Sequence, residues 1–300
     1  EIMPSLVGSE MCIRDRRIGM VLCKPYPPDI RLEKEIRSLI EAGHHLFVLA
    51  ERRDEESKRE KVSGAITDRY VPPTSFRRRL DWLRFQTTFK SGFWNNRIRS
   101  FVKRNNIEIL HVHDLPLVGT TIEIAQEFNI PVIADMHENY PAAKQLWSET
   151  IRDPLVWFGD DYRRWQRYEK RILPLANKVI TVVEEAAHRL QESGTVNSKN
   201  MTVVMNVEEI TWFDTLATTN IIEDDTIRIV YVGGVRPHRG LDEVIKALVE
   251  LKKHNLLLRI IGARGAYARE LQELAKDLGI ANKIEPVSYT HLTLPTNREV

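Results

Sequence analysis

Strand-sized apolar runs alternate with helix-sized amphipathic segments through most of this 300-residue chain, and that alternation constrains the fold more than any other feature. Arg17 to Cys23 (RIGMVLC) has strand length. KPYPPD follows as a loop, because its prolines cannot join a ladder. Asp29 suits an N-cap. Behind it Leu32, Ile36, Leu39 and Ile40 recur at helical spacing, and Gly43 ends the helix. His45 to Ala50 (HLFVLA) is the next strand. Strand, helix and strand in about 34 residues make a βαβ unit, and a parallel sheet follows from it.

The pattern repeats. Strands are expected at Ile107–His113, Pro131–Met136, Lys178–Val183 and Met201–Met205. Helices are expected at Pro116–Phe128, Asp161–Ala176 and Glu184–Ser193, with Gly194 ending the last. Residues 17–206 therefore read as one doubly wound domain. Residues 207–226, acidic and Thr-rich, read as a linker with one short helix. A second unit, 227–287, carries strands at Ile227–Val232, Leu256–Ile261 and Lys283–Val287, with helices at Leu241–Lys252 and Ala266–Leu278. Two or three strands are half of such a domain, so an open edge and an uncovered face are expected.

Residues 1–16 and 288–300 break this rhythm. Both strings resemble translated sequencing-adapter tails and are left out of the fold reasoning. Cys12 goes with them. Cys23 is then a lone thiol, expected to pack as a small hydrophobe. A net charge of +2 gives no general case for nucleic acid. No stretch reaches the roughly 20 apolar residues of a spanning helix. A reducing, cytoplasmic setting is expected, with peripheral attachment at a membrane's inner face as an extension. No carboxylate pair suited to a divalent ion stands out, so no metal and no cofactor are expected.

Four segments carry a resemblance: YPPDIRLEKEIRSLIEAGHHLFVLA (Tyr26 to Ala50); HVHDLP, Gly119 and PVIADMHENYP (His111 to Pro141); RWQRYEKRILPLANKVITVVEEAAHRL (Arg164 to Leu190); and IRIVYVGGVRPHRGLDEVIKAL (Ile227 to Leu248), followed by LRIIGARG. In this order and spacing the chain resembles retaining glycosyltransferases of family 4. The resemblance implies an α/β, GT-B architecture of two Rossmann-like doubly wound domains, with the ligand in the cleft between them. It implies an N-terminal acceptor-side domain and a C-terminal nucleotide-sugar-binding domain. The family's late pair of glutamates, seven residues apart, which holds the donor sugar and ribose, is not reached. The second domain is therefore expected to be incomplete, and the chain as it stands could be inactive.

Residues just after strands come first as site candidates. Gly233 to Gly240 (GGVRPHRG) follows a strand and opens a helix. Its glycines let a phosphate approach the backbone, and the helix start offers free N–H groups. Arg236 and Arg239 add charge that would stabilise a departing diphosphate. The resemblance puts a diphosphate contact at Arg239. A second family basic residue is replaced by Gly234, with Arg236 as its stand-in. The plain alternative is a surface turn with solvated arginines. His137 and Glu138 follow PVIADM, where the family carries a sugar-facing histidine. A capping or core histidine is the alternative. His113 and Asp114 share that logic, though Asp114 could simply cap the next helix. Lys24 and Arg31, in the first loop, are acceptor- or phosphate-side candidates, beside prolines that could be purely structural. Gly262 and Arg264 lie in the GARG loop, near the nucleotide in the family. Asn206 stands at the hinge.

Phe76 to Arg104 holds nine Lys or Arg, one acidic residue and seven aromatics. Trp82, Phe85, Phe89 and Phe93 share one helical face; Trp94, Ile98 and Phe101 form another stripe. Such a segment could lie on an anionic membrane, or bury its aromatics against the sheet. The expected activity is sugar transfer, with retention, from a UDP- or GDP-sugar to a saccharide or lipid-linked acceptor. A sugar-nucleotide epimerase on the same scaffold and a non-catalytic membrane-associated assembly protein are the rival readings.

Overall fold

A computed structural model describes residues 15–53, 56–71, 75–148, 161–208 and 224–287. The 288–300 string, nearly all of the 1–16 string and most of the 207–226 linker, with its expected helix, lie outside the described residues. The chain divides into two compact units, Glu1–Glu209 and Ile210–Val300.

The first unit is built on an eight-stranded sheet. Its strands are β1 (Arg17–Pro25), β2 (His45–Glu51), β3 (Arg59–Val62), β4 (Ala65–Tyr70), β5 (Ile109–His113), β6 (Val132–Met136), β7 (Lys178–Thr181) and β8 (Met201–Val203). Their order is β3-β4-β2-β1-β5-β6-β7-β8. Only β3 pairs antiparallel among them. Its helices are α1 (Ile30–Glu41), α2 (Ser75–Thr88), α3 (Gly92–Asn105), α4 (Leu115–Phe128), α5 (Tyr140–Ser148), α6 (Tyr162–Ile172) and α7 (Glu184–Glu192).

Local chemistry explains the element ends. Asp29 caps α1, its carboxylate accepting from the Arg31 and Leu32 N–H groups. Asn106 and Asn129 take the left-handed conformation that ends α3 and α4. The β3–β4 hairpin was not read from the sequence. Ser63 and Gly64 both have positive φ (49° and 88°), as a two-residue hairpin turn requires. Helix α6 stops at Ile172, where Leu173–Leu175 tightens into a 3₁₀ turn, shorter than the expected helix to Ala176.

Two apolar layers flank the sheet. One holds Leu32 and Ile36 of α1 with Met20, Leu22, Leu46 and Val48. The other gathers Ile98, Phe101, Val118, Ile122, Trp165 and Tyr168. That second layer takes up part of the aromatic face of Phe76 to Arg104. The segment forms two helices, and most of its aromatic face is spent inside. Phe89 stacks on Tyr168 at 4.0 Å between ring centroids. Phe93 and Trp94 meet Tyr70 edge-on at 5.5 and 4.7 Å. Burying these rings releases more free energy than leaving them in water. Phe76, Leu80 and Leu83 remain exposed.

The second, smaller unit has a three-stranded parallel sheet in the order β11 (Ile284–Val287), β10 (Leu256–Ile261), β9 (Ile227–Val232). Helices α8 (Leu241–Glu250) and α9 (Ala266–Asp277) complete it. Leu241, Ile245, Leu248, Leu258, Ile260 and Leu271 form its core. β9 is an edge strand, and Ile227, Val230 and Val232 are each more than half exposed.

Candidate functional site

Histidine and aspartate occupy strand positions where an apolar residue is usual, and the register brings them together. His113 pairs with Asp135 across β5 and β6, and His111 with Ile133. The two-residue period then sets His111, His113 and Asp135 on one face. His137 lies just beyond β6, with Glu35 of α1 nearby. Asp135 Oδ2 is 3.1 Å from His137 Nε2, 3.5 Å from His113 Nδ1 and 3.3 Å from His111 Nε2. His113 Nδ1 and His137 Nε2 are 3.1 Å apart. Glu35 Oε2 is 3.9 Å from His113 Nε2.

Electrostatics separates these groups. Burial, reinforced by the neighbouring imidazoles of His111 and His137, holds His113 well below the usual histidine range despite Asp135. Burial alone would raise the Asp135 carboxyl, but the imidazoles beside it win and hold it well below the usual carboxylate range. Burial pushes the Glu35 carboxyl up to about 7. His111 Nε2, His113 Nε2, His137 Nδ1 and Glu35 Oε2 are buried without a hydrogen-bond partner among the described residues.

A pocket of about 550 Å³ opens on this cluster, lined by Ile30, Arg31, Lys34, Glu35, Asp135 and His137 among others. Asn206 also lines it. Asp114 has φ 66° and ψ 149°, an unfavourable backbone for a non-glycine residue. It stands at the start of α4, yet its side chain makes no capping hydrogen bond, which corrects the capping alternative. Burial raises its carboxyl despite His137 and Lys24. Glu138 is exposed. Lys24 pairs with Asp29 at 2.6 Å, and Arg31 approaches the same carboxylate at 3.7 Å.

A second pocket, about 210 Å³, is walled by Tyr70, Trp82, Phe93 and Trp94 with Glu51 and Arg78. Cys23 lines it and is exposed rather than packed. In the second unit, Gly233 (φ 154°) and Gly240 (φ 67°) bracket the loop before α8. No N-cap side chain bonds the start of α8, although Asp242 in its first turn accepts from its own backbone N–H. Arg236 and Arg239 are exposed, with no ion pair among the described residues. Gly262 (φ 99°) is buried after β10, and Arg264 is exposed.

The structure thus joins His113, Asp114 and His137 in one neighbourhood and keeps the arginine loop on the other unit. Asp135, His111 and Glu35 escaped the sequence reading. The signal for His111 and Asp135 was present in IEILHVH and PVIADM, as polar residues within apolar strands; Glu35, one charge among several on α1, gave none.

A model of Glycosyltransferase Family 4 matches residues 32–207, and one of Glycosyl transferases group 1 matches residues 214–292. No curated protein sequence matches the chain. Among solved structures, a glycosyltransferase from Rickettsia africae matches with a TM-score of 0.65 at 15% identity, over 92% of this chain and 68% of that one. Sucrose-phosphate synthase from Thermosynechococcus elongatus gives 0.63 at 15%, over 91% and 70%. Anabaena HepE in complex with UDP and glucose gives 0.57 at 11%, over 91% and 69%. These likenesses place both units in the GT-B fold.

Proposed function

Starting from the fact that this chain belongs to Glycosyltransferase Family 4, we propose that it moves a sugar from a UDP- or GDP-sugar to a saccharide or lipid-linked saccharide, with retention of anomeric configuration. Residues 227–287 would hold the nucleotide-sugar, residues 17–206 the acceptor, and 207–226 would link them. The observation that carries the donor reading is the uncapped start of α8 beside Arg236 and Arg239. A leaving diphosphate gathers negative charge, and open N–H groups with fixed cations lower the energy of that charge. Gly233 and Gly234 let it approach the backbone; Gly262 and Arg264 would border the nucleotide. His137 and Glu138 would face the sugar, and Lys24 and Arg31 would flank the donor phosphates or the acceptor. The aromatic pocket at Trp82 and Trp94 suits an acceptor sugar, since flat rings cover the apolar face of a pyranose while Glu51 and Arg78 bond its hydroxyls. HepE, crystallised with UDP and glucose, supports a nucleotide-sugar donor by likeness of fold.

The test is donor consumption and product analysis with the parent chain and Arg239→Ala. Loss of an electrostatic contact of this type costs about 10²–10³ in rate. An unchanged rate in Arg239→Ala, or no binding of UDP or GDP by calorimetry, refutes the donor assignment. An isomerised sugar nucleotide without transfer would favour the epimerase. The exposed Phe76, Leu80 and Leu83, four and three residues apart beside Arg77, Arg78 and Arg79, favour one further contact, with an anionic bilayer. Anionic liposomes that bind the parent and the Phe76→Ser/Leu80→Ser variant equally would remove it.

A further inference from the structure

The buried group at the ends of β5 and β6 is arranged for more than hydrogen bonding. His113 Nδ1, His137 Nε2 and Asp135 Oδ2 form a triangle with edges of 3.1, 3.5 and 3.1 Å. A tetrahedral zinc ion with bonds of about 2.0–2.1 Å sets its donor atoms roughly 3.3 Å apart. The triangle matches that spacing. Glu35 reaches in from α1, and one donor atom from each of Glu35, His113, Asp135 and His137 lies within 4.8 Å of all the others. His113 and His137 are almost wholly buried, with side chains 1% and 6% exposed.

Hydrogen bonds alone do not close this group. The contact between the two imidazoles needs one ring proton. Glu35 Oε2, 3.9 Å from His113 Nε2, is buried without a hydrogen-bond partner among the described residues. Native interiors rarely leave such an atom unmatched, and a bound ion is one of the standard reasons.

We infer that Glu35, His113, Asp135 and His137 hold a divalent transition ion of the zinc class. Two imidazoles with two carboxylates suit zinc, whereas magnesium and calcium prefer an all-oxygen set. His111 Nε2 lies 3.3 Å from Asp135 Oδ2, beside the carboxylate and outside the set. The pocket of about 550 Å³, lined by Glu35 and His137, supplies the entry path. The ion ties α1 to the two strand ends. The donor reading invokes no metal but shares His137 with this site: with Nε2 on the ion, Nδ1–H is the atom left to meet the sugar.

The test titrates the metal-free full chain with Co²⁺, then with Zn²⁺. One equivalent of Co²⁺ should bind with the intense visible bands of a four-coordinate ion, and Zn²⁺ should displace it. Zn²⁺ should also raise the unfolding temperature, because it binds the folded state. Asp135→Asn and His137→Gln should weaken binding at least about tenfold. His188→Gln, exposed on α7, should bind as the parent does. Should either cluster variant fail to fold by circular dichroism, the parent spectrum decides by itself. Weak six-coordinate bands, no saturation at one equivalent, or unchanged binding in folded His137→Gln overturns the assignment.

Discussion

Arg189→Ala should be among the most damaging single changes in the first unit, because it strands a buried charge. Glu169 on α6 is 2% exposed. Both of its oxygens are held by Arg189 of α7, Nη1 to Oε2 at 2.7 Å and Nη2 to Oε1 at 2.8 Å. The fork gives two charge-assisted hydrogen bonds. Breaking a buried pair from one side costs ~3–5 kcal/mol, since the remaining ion is left without compensation. The Arg189 side chain is 28% exposed, so water reaches part of the site. The lower end, ~3 kcal/mol, is therefore expected. In a unit of about 200 residues each kcal/mol moves the midpoint by ~2–4 °C, which gives a fall of ~6–12 °C. Calorimetry and circular dichroism would read it. Glu169→Met combined with Arg189→Met removes both charges and fills similar volume, and should recover most of the loss. A shift under about 2 °C for Arg189→Ala, or a double variant no better than the single, would refute the reasoning.

Gly119→Ala should destabilise, although alanine is the better helix former by ~1 kcal/mol. Its Cβ would stand 2.5 Å from Tyr168 Oη and 3.3 Å from Ile172 Cγ1, so overpacking of ~1–3 kcal/mol should show as a lower urea midpoint. A raised midpoint would refute the clash. Asp29 supplies a pH-dependent contribution. Burial pushes its carboxyl up, but the Lys24 ammonium, Arg31 and the Leu32 N–H outweigh burial and leave it below the usual value. A lowered folded pKa stabilises above the unfolded value of about 3.9, and that stability is lost as pH falls through the folded one. The stability gap between the parent and Asp29→Asn should therefore be full near neutrality and close in acid. A gap that persists at pH ~2 would refute it.

The parallel frame was legible early. RIGMVLC, HLFVLA and LLLRII are apolar runs of strand length, and Asp29, Gly43 and Gly194 punctuate the helices between them. The β3–β4 hairpin was not legible. REKV and AITDRY look too polar for a sheet, yet Asp68 and Arg69 are buried there by ion pairs. Arg59 meets Asp68, and Glu60 meets Arg69 at 2.6 Å. Of the strand-end cluster, His113, Asp114 and His137 were legible from position. Asp135 and His111 were not, because a polar residue in an apolar run does not announce what faces it, and Glu35 was not, because it is one of several charges on α1.

What the sequence by itself determined is what short windows encode: the order of strands and helices, their caps, the parallel crossovers and the family. Periodicity and capping act over a few residues, so they survive in the linear text. What only the tertiary structure decided are the meetings between distant segments. The parallel register of β5 on β6 sets His113 against Asp135 and gathers four titratable groups within 4.8 Å. The packing of α3 and of the turn before it brought Phe89, Phe93 and Trp94 against Tyr168 and Tyr70, whose rings cover them. Register and burial depend on surfaces that exist only once the sheet has formed.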